Sequence, residues 1–228
     1  MMQATVSAQK NKKKILIVDD HPIIRHGLRK VIDQEIDLCV CAEAEDAVQA
    51  MEAIGKACPD LVIVDLSLKG TNGLDLIKAI KAKQDLAVIV LSIHDETIYA
   101  ERALRAGAKG YVMKQEAADQ LLHAIRRVLE GDIFVSDKMS KYLLQKYLDG
   151  GANAEHTSPV SKLSDREIEI FRLIGEGRST RKIAEELSLS VKTVESHRAH
   201  IKQKLRMTSG TELVHNAVQW VQSEKGTT

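Results

Sequence analysis

Three carboxylates follow two short apolar runs of the chain. Asp19 and Asp20 come directly after "ILIV" (15–18), and Asp65 comes directly after "LVIV" (61–64). Two like charges about 4 Å apart repel each other by roughly 4 kcal/mol at an effective dielectric constant near 20. Such a cluster must therefore take up a proton, splay apart or bind a cation. An oxygen-only site with few protein ligands favours Mg²⁺, which keeps several of its waters.

A hydroxyl and an ammonium group follow two further apolar runs. Ser92 follows "AVIVL" (87–91), and Lys114 follows "YVM" (111–113). Carboxylate, divalent cation, ammonium and hydroxyl are together the groups that phosphoryl transfer to an aspartate needs, because positive charge offsets the charge on the phosphoryl oxygens while the aspartate attacks. A single aspartate after a strand is more often a helix cap or a loop residue. The combination at four strand ends favours a functional site.

The elements that must position these residues alternate between two periodicities. Apolar runs at 15–18, 38–42, 61–64, 87–91 and 111–113 are separated by stretches with apolar residues at three- and four-residue spacing. This alternation predicts an α/β domain with a five-stranded, parallel, doubly wound sheet covered by helices on both faces. All strands of such a sheet end at one edge, where ligands bind, and the first and third strands are usually neighbours. The three carboxylates are therefore expected to meet.

The C-terminal part has only helical patterns, which predict a small all-α domain. Ser164 and Glu167 have the spacing of a capping box and predict a helix start. A short helix at 180–187, a tight turn at 188–190 and a third helix capped by Ser190 follow. Two helices joined by a three-residue turn predict a helix-turn-helix. We therefore divide the chain into a tail (1–13), an α/β domain (14–131), a helix with a flexible linker (132–162) and a helix-turn-helix domain (163–228).

Charge and composition narrow the classes of partner. The part from Ser158 onward carries 12 basic and 9 acidic residues, and the part before it carries 21 basic and 23 acidic residues. The basic C-terminal part weakly favours a polyanion. An aromatic content of 3% argues against single-strand binding by base stacking. Since no apolar stretch approaches about 20 residues, we expect no membrane partner.

Two enzyme classes and one metal site are disfavoured by what the sequence lacks. Dehalogenase-type phosphatases also use an aspartate after a strand, but they need a second acid two residues later, where this chain has Ser67. A nucleotide-binding domain needs a glycine-rich loop after its first strand, and none is present. His197 and His200 lie three apart on a predicted helix, but no nearby cysteine or carboxylate suggests that they bind a metal. We expect no enzyme.

Four segments of the first domain and one of the second resemble a known family. "ILIVDDHPIIRHGL", "PDLVIVDLSLKGTNGLDLI", "LSIHD" and "RALRAGAKGYVMKQEAADQLLHAI" resemble the receiver domain of bacterial response regulators, which has the flavodoxin-like fold. "LSDREIEIFRLIGEGRSTRKIAEELSLSVKTVESHRAHIKQKL" resembles a LuxR-type helix-turn-helix. Together they resemble the NarL/FixJ class of two-domain response regulators.

The resemblance implies a role for each residue of the pocket. Asp65 would be the phosphoacceptor, assisted by Lys114 and Ser92. Mg²⁺ would be bound by Asp20, Asp65 and the main-chain carbonyl of Ser67, with Asp19 assisting through water. Ser92 and Tyr111 would be the switch residues. Many receivers have a cis proline after the lysine, whereas this chain has Gln115, and a cis bond there would cost about 3 kcal/mol. The conformation of the Lys114–Gln115 bond therefore does not follow from the resemblance.

The third helix of the C-terminal domain is the predicted DNA-reading element. Val194, Ile201 and Leu205 are expected to face inward. The residues expected at the major groove of double-stranded DNA are Lys192, Thr193, Glu195, Ser196, Arg198, Ala199, Lys202 and Gln203. Related proteins often have lysine where this chain has Glu195, so their base preferences do not transfer. Glu195 either accepts a hydrogen bond from a base or orients Arg198 or Lys192 through a helix-surface ion pair.

The resemblance predicts a cytoplasmic transcription regulator of a two-component system. A sensor histidine kinase would phosphorylate Asp65, and phosphorylation would control sequence-specific DNA binding, with homodimers favoured in the phosphorylated form. The alternative is a receiver-linked DNA-binding regulator that works without phosphorylation. The kinase, its stimulus, the target genes and the choice between activation and repression do not follow from the sequence.

Overall fold

The computed structural model describes residues 12–68, 70–116, 118–148 and 159–225. The chain divides into two compact units. The first ends at Ser136 and the second begins at Asp137, except that Thr97–Arg102 belongs to the second. Most of the predicted tail and the flexible part of the predicted linker lie outside the described residues. The domain boundaries given above stay a prediction.

The first unit is built on a five-stranded parallel sheet. Its strands are β1 (Lys13–Val18), β2 (Leu38–Ala44), β3 (Leu61–Val64), β4 (Ala87–Ser92) and β5 (Gly110–Met113). Their order across the sheet is β2-β1-β3-β4-β5, and every neighbouring pair is parallel. This is the flavodoxin-like order, so the predicted fold of the first domain is confirmed.

Five helices accompany the strands of this sheet. They are α1 (Pro22–Asp33), α2 (Ala47–Ala57), α3 (Gly73–Lys83), α4 (Glu96–Ala106) and α5 (Ala118–Leu129). Ile17, Ile63 and Ile89 of the strands share one core with Ile32 of α1 and Ile125 of α5. All four residues of β3 are buried, since helices cover both faces of the sheet. The apolar run of β3 is therefore continuous, whereas burial along the edge strand β2 is interrupted.

The second unit is helical. Its elements are α6 (Asp137–Leu148), a 3₁₀ turn (Pro159–Lys162), α7 (Asp165–Gly175), α8 (Thr180–Glu186), α9 (Val191–Lys204) and α10 (Gly210–Lys225). α8 and α9 are joined by a short turn in which Ser188 has a φ of 51°. The helix-turn-helix predicted from the spacing is therefore present.

The helix starts of this unit are set by local hydrogen bonds. The hydroxyl of Ser164 accepts from the main-chain N–H of Glu167, whose carboxylate accepts from the N–H of Ser164, and this is the predicted capping box. Ser190 caps α9 by accepting from the N–H of Thr193.

Inside the unit, Val194 and Ile201 are fully buried as predicted, whereas Leu205 is only half-buried at the end of α9. Among the described residues, no helix is both long and apolar enough to cross a bilayer.

Candidate functional site

Lys114 brings two of the predicted carboxylates together. Its Nζ lies 2.6 Å from Oδ2 of Asp19 and 2.7 Å from Oδ2 of Asp65. The side chains of Asp19 and Asp65 are 3% and 2% exposed, so this ammonium is the charge that permits two carboxylates to be buried side by side. The three residues follow β1, β3 and β5, which end at the same edge of the sheet.

The third carboxylate, Asp20, lies at the same place. Ligand atoms of Asp19, Asp20, His21 and Asp65 all lie within 4.8 Å of one another. The ring Nδ1 of His21 is 2.7 Å from Oδ1 of Asp20 and 3.1 Å from Oδ1 of Asp19, and the main-chain N–H of His21 donates to the latter oxygen. His21 was not among the predicted site residues, although its place beside the two aspartates was visible in the sequence.

Two buried oxygens of this cluster make the donor set suitable for a hard divalent cation. Oδ1 of Asp20 and Oδ1 of Asp65 are buried and accept no hydrogen bond from the described residues. The short His21 contact to Asp20 satisfies an ion-pair distance but not hydrogen-bond alignment, so the oxygen still has capacity as an acceptor. Carboxylate oxygens without a donor, at a site with other oxygens, suit Mg²⁺.

Burial and charge act in opposite directions on the pair that Asp65 and Lys114 form. Burial raises the pKa of the Asp65 carboxyl above its ordinary value, and the charge of Lys114 opposes part of that rise. For Lys114, burial alone would lower the pKa, but the charges of Asp65 and Asp19 and their hydrogen bonds outweigh it and raise the pKa. The ammonium is therefore held in its charged form, and the ionised form of Asp65 depends on positive charge nearby.

The loop after Asp65 is fixed by the start of α3. Two short strands, Ser67–Leu68 and Thr71–Asn72, pair antiparallel and place Ser67 opposite Asn72. The side chain of Asn72 caps α3 by accepting from the N–H of Leu74 at 2.9 Å. A Cβ added to Gly73 would lie 2.3 Å from the main-chain oxygen of Asp65, so only glycine fits there. Asn72 followed by Gly73 is, in the sequence alone, typical of the entry to a helix. Its close approach to the candidate phosphoacceptor became visible only in the structure.

His94 connects the two predicted switch residues with the loop after Asp65. Its Nε2 lies 2.8 Å from Oγ of Ser67, and its main-chain N–H donates to Oγ of Ser92 at 3.2 Å. The hydroxyl of Tyr111 donates to the main-chain oxygen of His94 at 2.7 Å, and Tyr111 is buried. One residue on the β4–α4 loop therefore contacts Ser67, Ser92 and Tyr111.

The structure settles the conformation of the bond after the lysine. The described residues contain no cis peptide bond, so Lys114–Gln115 is trans. The main-chain N–H of Lys114 still donates to the oxygen of Ser92 at 2.8 Å. The lysine therefore reaches Asp19 and Asp65 without the cis proline that many receivers have.

The predicted DNA-reading residues lie on α9 and differ in exposure. Lys192, Glu195, Ser196, Ala199 and Gln203 are exposed, and Thr193, Arg198 and Lys202 are partly buried. The hydroxyl of Thr193 is 2.8 Å from that of Ser190, and the hydroxyl of Ser196 donates to the oxygen of Lys192. These two side chains therefore have local partners within the helix.

Glu195 has one partner on the helix. Its Oε2 lies 3.9 Å from Nε of Arg198, at the outer limit of an ion pair, and its side chain is 57% exposed. A pair this long on an exposed surface contributes little stability. Glu195 can therefore exchange Arg198 for another donor at low cost, and both of its predicted roles remain open.

The statement that His197 and His200 lack a carboxylate partner is wrong. Glu167 of α7 lies with them, and ligand atoms of the three residues are within 4.8 Å of one another. However, Oε2 of Glu167 already accepts from Nζ of Lys204 at 2.6 Å and from the N–H of Ser164 at 2.7 Å. These bonds outweigh the effect of burial and lower the pKa of Glu167. The carboxylate is thus neutralised by a lysine and serves the helix cap.

The similarity of this chain to known proteins covers both units. Residues 15–126 match the response regulator receiver domain, and residues 161–217 match the luxR family of bacterial regulatory proteins. The oxygen regulatory protein NreC of Staphylococcus carnosus (strain TM300) is 38% identical over 209 residues, which are 90% of this chain and 96% of NreC. The transcriptional regulatory protein DegU of Brevibacillus brevis is 32% identical over 92% of this chain and 96% of DegU.

A solved structure is similar over the same extent. RcsB from Salmonella enterica serovar Typhimurium, bound to the promoter P1flhDC in the presence of the phosphomimetic BeF3⁻, has a TM-score of 0.65 and 30% sequence identity. The similarity covers 91% of this chain and 98% of RcsB. The sheet order, the acidic pocket and the helix-turn-helix agree with these matches, and the chain belongs to the LuxR family of response regulators, in which a receiver domain is joined to a DNA-binding domain.

Proposed function

We propose that this protein is a transcription regulator of a two-component system whose DNA binding is controlled by phosphorylation of Asp65. The observation that carries the proposal is the buried Asp65 carboxylate, which is bonded to Lys114 through one oxygen and has no partner among the described residues at the other. A buried structural aspartate normally has all its oxygens hydrogen-bonded. An oxygen without a hydrogen bond leaves the carboxylate open to a ligand, as a phosphoacceptor that works with a cation requires.

The phosphoryl donor would be a phosphohistidine of a sensor histidine kinase in the cytoplasm. An oxygen of Asp65 attacks phosphorus, an aspartyl phosphate forms, and the phosphorus–nitrogen bond breaks so that the kinase imidazole leaves. Lys114 holds its charge beside the oxygens of the transferred group. Ser92, whose hydroxyl is buried at the next strand end, offers a hydrogen bond to the same group.

Mg²⁺ fits the donor set of this pocket. Asp20 and Asp65 would bind it through the two oxygens that accept no hydrogen bond, the carbonyl of Ser67 would be a third ligand, and Asp19 would assist through water. Bound there, the cation would offset the negative charge that phosphoryl transfer brings to the pocket. Lys114 and the cation would share this task, since Lys114 lies between Asp19 and Asp65.

The switch would pass through His94. A phosphoryl group that draws Ser92 towards it would act on the loop in which His94 bonds to Ser92, Ser67 and Tyr111. Because the hydroxyl of Tyr111 is held by the main chain of this loop, the loop and the ring would move together. The change would favour dimers that present two copies of α9 to paired half-sites in the major groove.

The alternative remains a regulator that binds DNA without phosphorylation. The two proposals differ in what a phosphodonor does to DNA binding by the full chain. We expect phosphorylated protein to occupy its target DNA at lower protein concentration than unphosphorylated protein, at the same salt concentration. Electrophoretic mobility shift with and without acetyl phosphate and Mg²⁺ measures this, and identical titrations would favour the alternative.

The lifetime of the phosphoryl group is expected to depend on Ser67 and His94. Their side chains are 2.8 Å apart beside Asp65, where they can orient or exclude the attacking water. Ser67→Ala and His94→Ala should each change the rate of phosphate loss severalfold, and the double variant should show less than the combined effect because the two groups act through one contact. Loss of radiolabelled phosphate with time provides the measurement. Unchanged rates in both single variants would remove these residues from the reaction.

A further inference from the structure

The main chain of Asp19 is held from two sides. Its N–H donates to the oxygen of Ala44 at 3.1 Å, which ties it to β2. Its oxygen accepts from Nη1 of Arg25 at 2.6 Å. Asp20 follows directly, so the placement of this peptide unit decides where both carboxylates enter the pocket.

Arg25 is itself fixed by a residue of β2. Its side chain is 14% exposed, and its Nε lies 3.4 Å from Oε2 of Glu43. The other carboxylate oxygen, Oε1, is paired with Nε of Arg29. A guanidinium group is planar and presents its donors in a rigid fork, so Arg25 can hold a carbonyl and a carboxylate in one fixed geometry. Helix α1 and strand β2 are thereby joined across the loop that carries the two acids.

We propose that Arg25 is a positioning residue for the cation site, which acts through the carbonyl of Asp19 on the placement of Asp19 and Asp20. The inference rests on the proposed function, since it assumes that these acids and Asp65 bind Mg²⁺. Arg25 brings positive charge close to the acids, but it contacts main-chain oxygen rather than their carboxylates. Its effect on the site is therefore one of orientation. Groups that orient metal ligands in this way commonly change metal affinity by about 10- to 100-fold.

The test is Mg²⁺ binding by the full chain without a phosphodonor. Isothermal titration calorimetry of Arg25→Ala should give a Mg²⁺ dissociation constant about tenfold higher than that of the wild type. Labelling by acetyl phosphate should then need about tenfold more Mg²⁺ and reach the wild-type rate at saturation. Lys30→Ala is the matched control, because Lys30 carries the same charge on the same helix and its side chain is exposed. It should keep wild-type Mg²⁺ affinity.

Two conservative variants keep the test decisive if Arg25→Ala folds poorly. Arg25→Lys retains the positive charge without the fork, and Glu43→Gln loosens the support of Arg25, so both should weaken Mg²⁺ binding by less than Arg25→Ala. Wild-type affinity in the folded Arg25 variants, or an equal loss in Lys30→Ala, would overturn the inference while the proposed function stands. A wild-type chain that binds no Mg²⁺ would overturn the proposed function and this inference together.

Discussion

An Asp65→Asn protein incubated with acetyl phosphate and Mg²⁺ is expected to gain no phosphoryl group, whereas the wild-type chain should gain one. The substitution keeps the shape of the side chain and the space in the pocket, but it replaces an anionic nucleophile with a neutral amide. It also removes the charge that Lys114 pairs with at 2.7 Å. The loss should be complete, because no other carboxylate of the cluster combines burial, a bond to Lys114 and an oxygen without a hydrogen bond. Intact-mass spectrometry measures the adduct directly.

Two controls make this result specific. Asp75→Asn removes an exposed carboxylate in the first turn of α3, whose ion pair among the described residues is with Lys78, and it should label as the wild type does. Excess chelator should abolish labelling of the wild type, because it removes the Mg²⁺ whose positive charge offsets the carboxylates of the pocket. An undiminished adduct in Asp65→Asn, or full labelling in chelator, would contradict the assignment.

A Glu195→Ala protein should bind random DNA more tightly and discriminate less among target sequences. The exposed carboxylate on α9 is repelled by phosphates, so its removal raises non-specific affinity. In the major groove the donor available to a carboxylate is the N4 amino group of cytosine. Loss of that contact should cost about 1–3 kcal/mol of discrimination at one base pair per half-site. Competition binding across a library of single-base variants measures both effects.

The same library separates the two roles of Glu195. If Glu195 acts by orienting Arg198, then Arg198→Ala should relax the same base position, and the double variant should cost no more than either single variant. If Glu195 contacts the base itself, the effects should fall on different positions. Glu176→Ala removes an exposed acid outside the helix-turn-helix and should change affinity without changing base preference. A uniform change in Glu195→Ala with no loss at any position would leave Glu195 without a role in recognition.

Local patterns of the sequence determined the elements and their order. The run at 61–64 coincides with β3, and all of its residues are buried, because a strand covered on both faces needs apolar side chains at every position. Ser164 and Ser190 cap the helices that their spacing predicted, since a capping bond joins residues no more than three apart. Parallel strands end at one edge, so the meeting of Asp19, Asp65 and Lys114 also followed from the order of the elements.

Contacts between residues far apart in the chain were decided only by the tertiary structure. Ser67 and His94 are 27 positions apart, and Arg25 and Glu43 are 18 apart, so no periodicity relates them. Glu167 was predicted as part of a helix cap, yet packing of α7 against α9 also placed it beside His197, His200 and Lys204. The role of Gly73 likewise depends on how closely α3 approaches the main chain of Asp65. Sequence spacing specifies which face of an element a side chain occupies, but the packing of elements against one another sets which side chains meet across that face.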